Sequence, residues 1–155
     1  RSTLFPYTTL FRSRVNKLGV PSFVFSREEF IAGVPILKKL AEYDVCLIVL
    51  AGFMNKISDV ILQAFPGKIV NIHPALLPKY GGKGMYGMHV HEAVVKAGER
   101  ESGITIHYIN EHYDEGAIIF QASCPVLPSD TPEEVASKVH ALEYAHYPHV
   151  IESLL

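Results

Sequence analysis

The chain has 155 residues, of which 48% are hydrophobic and 19% charged. That is the size and make-up of one globular domain and excludes disordered or collagen-like classes. Fourteen basic against sixteen acidic residues give a net charge of -2, which offers no clustered positive surplus for nucleic acid. The longest apolar stretch, Val45 to Met54, is about half of what a bilayer crossing needs. No membrane partner is therefore expected. Cys46 and Cys124 both sit in apolar runs, which suits buried thiols in a reducing compartment rather than a disulfide framework. No basic-led secretory leader opens the sequence, so a soluble cytoplasmic domain is expected.

Residues 3–13 read TLFPYTTLFRS, which resembles the in-order translation of a common sequencing-library adapter. Residues 1–13 are set aside as an artefact. The remainder, 14–155, is expected to begin inside a longer gene.

From Arg14 onward, Gly19-Val20-Pro21 reads as a turn and Ser22-Phe-Val-Phe-Ser26 as a short strand. Ser26 and Glu29 have capping-box spacing and open a helix. Gly33 interrupts it, and Pro35 restarts it as a first-turn proline, to about Tyr43. Val45 to Ala51 is apolar on both faces, as in a strand inside a covered parallel sheet. Ser58 to Ala64 predicts a short helix. Gly67 to His73 predicts the next strand, which Pro74 ends. Ala75 to Met88 is a loop rich in Gly, Pro and Lys, and His89 to Ala97 a helix. Gly103 to Ile109 alternates more than the earlier strands, and Ala117 to Val126 is another strand. Thr131-Pro132-Glu133-Glu134 predicts a capped helix running to the end of the chain. Strands alternating with helices imply an α/β fold with a mostly parallel sheet flanked by helices. Ligands of such sheets bind beyond the carboxyl ends of the strands.

Asn71 and His73 are two apart at one such end, so their side chains leave on the same face. They are either functional or satisfied by local turn hydrogen bonds. Asp114 lies in a loop between two predicted strands. It is either simply solvated or, placed beside His73, would orient the ring and favour its protonated form. His89 and His91 would share a face on a strand but diverge on a helix. No cysteine or carboxylate cluster completes a site around them, so no metal is expected. Gly81-Gly-Lys-Gly84 lacks the Ser or Thr that a P-loop has after its lysine. It reads as a mobile lid or a plain turn. Neither cysteine has an adjacent basic activator, so neither is a candidate nucleophile.

Asn71-Ile-His-Pro-Ala-Leu-Leu-Pro-Lys-Tyr80 resembles the signature of the folate-dependent formyltransferases. Leu50-Ala-Gly-Phe-Met54, Gly103-Ile-Thr-Ile-His107, Tyr113-Asp-Glu-Gly116 and Glu143-Tyr-Ala-His-Tyr-Pro148 follow the family pattern in order. The pattern is nearest to members that formylate the amine of glycinamide ribonucleotide, with 10-formyltetrahydrofolate as co-substrate, in purine synthesis. The resemblance implies a Rossmann-like formyltransferase fold. It implies Asn71, His73 and Asp114 as the catalytic trio and Met54, Asn55, Lys56 and Ile57 as the backbone segment at the pterin ring. The family often has Arg where this chain has Asn55. The resemblance further implies Arg27 as a folate contact and Glu143 as a contact to the glycinamide substrate, and it leaves the oligomeric state open. The family's first strand, its glycine-rich phosphate loop and the next helix and strand have no counterpart here. The chain is thus expected to be a partial catalytic domain that binds the ribonucleotide poorly. Formyltetrahydrofolate deformylase, methionyl-tRNA formyltransferase and an inactive truncated fragment remain alternatives.

Overall fold

Each residue of Ile69–His73 is buried, and the other elements are arranged around that strand. The computed structural model describes residues 15, 17–112 and 114–155; the adapter-like segment lies outside them. In chain order the elements are α1 (Arg27–Ala32), α2 (Val34–Glu42), β1 (Ile48–Leu50), α3 (Asp59–Ala64), β2 (Ile69–His73), α4 (Met88–Lys96), β3 (Glu101–Tyr108), β4 (Ile118–Pro125) and α5 (Pro132–Ser153). The strands form one sheet in the order β1-β2-β3-β4.

The helix starts follow from their caps. Ser26 Oγ accepts from the Glu29 N–H at 3.1 Å, while the Ser26 N–H donates to Glu29 Oε2 at 2.7 Å. Thr131 and Glu134 repeat the exchange at the head of α5. Each cap contributes about 1 kcal/mol.

The α/β character holds, but the expected mostly parallel sheet is corrected. Among the described strands β1–β2 is parallel, whereas β2–β3 and β3–β4 are antiparallel. Residues 109–117 are too few for a crossover helix and return the chain as a hairpin. The alternation read in β3 belongs to such antiparallel pairing. Two other expectations also change. Residues 22–26 form no strand. The strand expected over Val45 to Ala51 shrinks to three residues, paired only with β2. With no ladder on its other side β1 leaves Val49 exposed, and Cys46 is exposed rather than buried. Cys124, on β4, is half-buried, and both thiols are free.

Period-2 alternation sorts the sheet into two faces. Ile72, Ile104 and Ile106 pack against Val94 of α4 and Val135, Val139 and Tyr147 of α5. Burying each such side chain is worth about 1.5–3 kcal/mol. On the opposite face Ile69 packs with Ile57 and Ile61, bordered by Phe30, Ile36 and Leu37 of α1 and α2. Tyr147 also donates its hydroxyl to the Leu50 carbonyl at 2.7 Å, tying α5 to the carboxyl end of β1.

Because α4 is a helix, His89 and His91 diverge. His89 is exposed beside Glu92. His91 is buried, edge-on to His140 with ring centroids 6.5 Å apart. Its Nδ1 has no hydrogen-bond partner among the described residues. Burial pushes the His91 pKa down to about 4, helped by the neighbouring charges of His140 and His73. The unfolded chain protonates this ring near 6.5, so between those values the unfolded state holds more protons and stability rises with pH, being lost as the pH is lowered. The thermal midpoint should therefore drop as pH falls from about 6.5 to about 4, by at most about 3 kcal/mol of stability from this group. His91→Gln should flatten that slope in melts recorded across the window; an unchanged slope would refute the assignment.

Candidate active site

The sheet face that begins with Ile69 turns polar toward the carboxyl end of β2. Asn71 and His73 follow Ile69 at period 2, and their antiparallel partners on β3 are His107 and Thr105. Thr105 in turn faces Gln121 of β4. Asn71, His73, Thr105 and His107 are all buried, so each needs a hydrogen-bond partner. Thr105 Oγ1 donates to the Ala75 carbonyl at 2.7 Å and accepts from the Leu77 N–H at 2.9 Å and from Gln121 Nε2 at 2.8 Å. Gln121 also donates to the Leu77 carbonyl. These bonds hold the segment that leaves His73. Three residues further on, the Tyr80 carbonyl accepts from His73 Nε2 at 2.7 Å. Tyr80 is held through its own hydroxyl, which donates to Glu99 Oε1 at 3.0 Å. Burial and that carboxylate raise the Tyr80 phenol above its ordinary pKa.

Asp114 arrives from the β3–β4 loop, which folds back over this face. The fold-back needs glycine at 116: a Cβ there would stand 1.7 Å from the Tyr108 carbonyl oxygen. Asp114 itself has φ 55, a left-handed conformation that Asp and Asn tolerate better than most residues. Its Oδ2 accepts from the Gly82 N–H at 2.9 Å. Its Oδ1 stands 3.7 Å from His73 Nδ1 and 3.6 Å from His107 Nε2. Both separations are longer than a direct hydrogen bond, and the His107 contact is an ion pair only when that ring is protonated. Asn71, His73 and Asp114 are thus brought together from one strand end and one distant loop.

Sequence reasoning missed His107 and Thr105 as site residues. Their signal was present: a polar pair two apart on β3, the mirror of Asn71 and His73. It becomes informative only once the antiparallel register places the two pairs opposite each other. His107 Nδ1 lies 3.0 Å from the Tyr108 carbonyl oxygen. Burial pushes the His107 pKa down, opposed by that carbonyl and by Asp114.

The other expected site residues are more dispersed. Residues 54–57 follow β1 and lie beyond the same sheet edge as Asn71 and His73, because β1 and β2 are parallel. Met54, Asn55 and Lys56 are exposed, and Lys56 stands 3.7 Å from Asp59. Ile57 points its side chain into the apolar cluster, leaving only its backbone for a ligand. Arg27 is exposed at the first position of α1, and no described contact joins it to the trio. Glu143 is half-buried on α5, where burial raises its carboxyl pKa and His140 opposes the rise. It too has no described contact with the trio. Among the described residues no three His, Cys, Asp or Glu side chains converge as a metal would require.

The profile of the formyl transferase family matches residues 9–151. The chain is 42% identical over 141 residues to the chloroplastic phosphoribosylglycinamide formyltransferase of Arabidopsis thaliana, covering 88% of this chain and 48% of that protein. It is 38% identical over 146 residues to the phosphoribosylglycinamide formyltransferase of Bacillus subtilis strain 168, covering 92% and 72%. The crystal structure of phosphoribosylglycinamide formyltransferase from Streptococcus pneumoniae TIGR4 superposes with a TM-score of 0.83 at 35% identity, over 93% of this chain and 79% of that one. The chain spans about half the length of the plant relatives it matches.

Two substitutions test this geometry. Thr105→Val keeps the shape but leaves buried partners unsatisfied, and should lower stability in urea melts by on the order of 3 kcal/mol. Gly116→Ala should force the loop off β3 and lengthen the 3.7 Å His73–Asp114 separation in a crystal structure of the variant.

Proposed function

The chain belongs to the formyl transferase family, and on that premise we propose that it transfers the formyl group of 10-formyltetrahydrofolate to the amine of glycinamide ribonucleotide, a step of purine synthesis. The observation that carries this reading is the buried pair Asn71 and His73 at the carboxyl edge of β2, with half-buried Asp114 facing His73. An amide donor, an imidazole and a carboxylate are what acyl transfer to an amine requires.

The amine nitrogen attacks the formyl carbon, a C–N bond forms, and the carbonyl oxygen takes up the displaced electron pair. Asn71 donates an amide N–H to that oxyanion. Protonated His73 serves as general acid: its Nε2–H, held by the Tyr80 carbonyl in this structure, exchanges that acceptor for the oxyanion and becomes the second donor. Asp114, facing His73 Nδ1, stabilises the charged ring. When the intermediate collapses, the bond from the formyl carbon to N10 breaks. The proton lost by the amine ends on N10, so charge and atoms balance without a covalent enzyme intermediate or a metal.

Binding falls to the flanking segments. The backbone of residues 54–57 is placed against the pterin ring, Arg27 against the folate and Glu143 against the glycinamide substrate. Exposed Met54, Asn55 and Lys56 beyond the parallel pair support the first of these. The raised pKa of Glu143 suits a carboxyl group waiting for a polar partner. We place the reaction in the cytoplasm. In support, the two cysteines are unpaired, as suits a reducing compartment.

The test is a formyl-transfer assay on the purified chain with both substrates. Transfer is expected only at high ribonucleotide concentration, in keeping with the weak ribonucleotide binding expected of a partial domain, and Asn71→Ala should lower turnover about a hundred- to a thousand-fold, the cost of losing one oxyanion donor. A full rate in Asn71→Ala, or a formyl group delivered to water rather than to the amine, would overturn the reading.

A further inference from the structure

We propose that His107 is a positioning residue that sets the amide of Asn71, by accepting one of its two N–H groups so that the other is presented to the reacting carbonyl oxygen. This rests on the reading of Asn71 as oxyanion donor and adds the reason why that amide faces the right way round.

The argument starts from a group with no choice. The Tyr108 carbonyl oxygen can only accept, and it lies 3.0 Å from His107 Nδ1; Nδ1 must therefore carry a hydrogen. A neutral imidazole has one N–H, so Nε2 holds a lone pair. Asn71 Nδ2 stands 3.3 Å from that nitrogen and supplies the hydrogen. The reversed amide would turn its oxygen toward a lone pair, two acceptors facing each other in a buried site. A flip of about 180° about the terminal torsion would otherwise be nearly free, since that torsion has two broad wells. The Tyr108 carbonyl thus selects the His107 tautomer, and the tautomer selects the amide orientation.

Backbone geometry supports a dedicated role. His107 and Asn71 are cross-strand partners, so their side chains start side by side. The β3–β4 register slips between Ile106 and His107, and such irregularities re-aim a side chain. His107 is fully buried, and the ionisable groups facing it are Asp114 from the loop and His73 from β2. It touches Asn71 and Asp114 and has no open path to solvent, which is the place of a residue acting through others.

Nitrogen-15 NMR of the histidine-labelled chain reads the tautomer without any assay. The expected result is a protonated Nδ1 and an unprotonated Nε2 for His107, with an Asn71 side-chain amide proton shifted by its hydrogen bond. His107→Leu should remove that shift. An Nε2-protonated ring, or an Asn71 amide indifferent to His107→Leu, would overturn the proposal even if no formyl transfer were detected. Kinetics give the second arm. His107→Leu should lower kcat about tenfold to a hundredfold with KM for both substrates nearly unchanged. His107→Gln, whose side-chain oxygen can accept from Asn71, should recover most of the loss. In an Asn71→Ala background His107→Leu should add little, because both changes remove the same donor. Equal losses in the Leu and Gln variants, or full additivity with Asn71→Ala, would refute the positioning role. Failure of all transfer in the unmodified chain, with the NMR result as expected, would instead count against the proposed reaction.

Discussion

Polar side chains buried on one face of a sheet have to find partners, and here the partners decide the course of the loops. Thr105 cannot be buried beside His73 without the Ala75 carbonyl and the Leu77 N–H. His73 then takes the Tyr80 carbonyl, and Asp114 takes the Gly82 N–H. Leaving any one of these groups unpaired in the interior costs about 1–3 kcal/mol, a sizeable share of a small domain's stability. The segment 75–82 and the β3–β4 loop are consequently held by the same atoms that form the candidate site. Stability and site geometry are not separable in this region.

The two histidines of the site are kept in different circumstances by their neighbours. His107 has one partner that only accepts and one that only needs to donate, and burial disfavours its charge. It is complete as a neutral ring. His73 has a carbonyl acceptor at Nε2 and a carboxylate facing Nδ1, so both of its nitrogens face oxygen. One carboxylate, Asp114, stands almost equally far from each ring, yet the second partner of each ring places the two in different hydrogen-bond settings.

Local patterns carried much of this into view before any coordinates. The Ser26–Glu29 and Thr131–Glu134 spacings describe exchanges between residues three apart, so they need nothing from the rest of the fold. The same holds for Asn71 and His73, whose shared face follows from strand geometry alone. What depended on distant partners was less legible. Residues 22–26 have the composition of a strand but, among the described residues, no ladder to join, and Cys46 precedes a strand that pairs there on one side. The antiparallel course of β3 was present as alternation, but alternation does not say which neighbour it serves. His107 became part of the site only through that neighbour, residue against residue with Asn71.

The site residues also divide by the kind of backbone that carries them. Asn71, His73 and His107 stand on paired strands, where ladder hydrogen bonds and packing from both faces leave little freedom. Met54, Asn55, Lys56 and Arg27 stand exposed on a loop or at a helix start. The first arrangement fixes side chains closely, whereas the second leaves backbone groups accessible at the sheet edge. Asp114 is the exception, a member of the buried cluster that stands on a loop. Three constraints hold it as tightly as a strand would: a left-handed φ, the Gly82 N–H and the close approach of Gly116 to Tyr108. Asp114 is therefore anchored at its own position, although the sequence around it looks like solvent-facing connection.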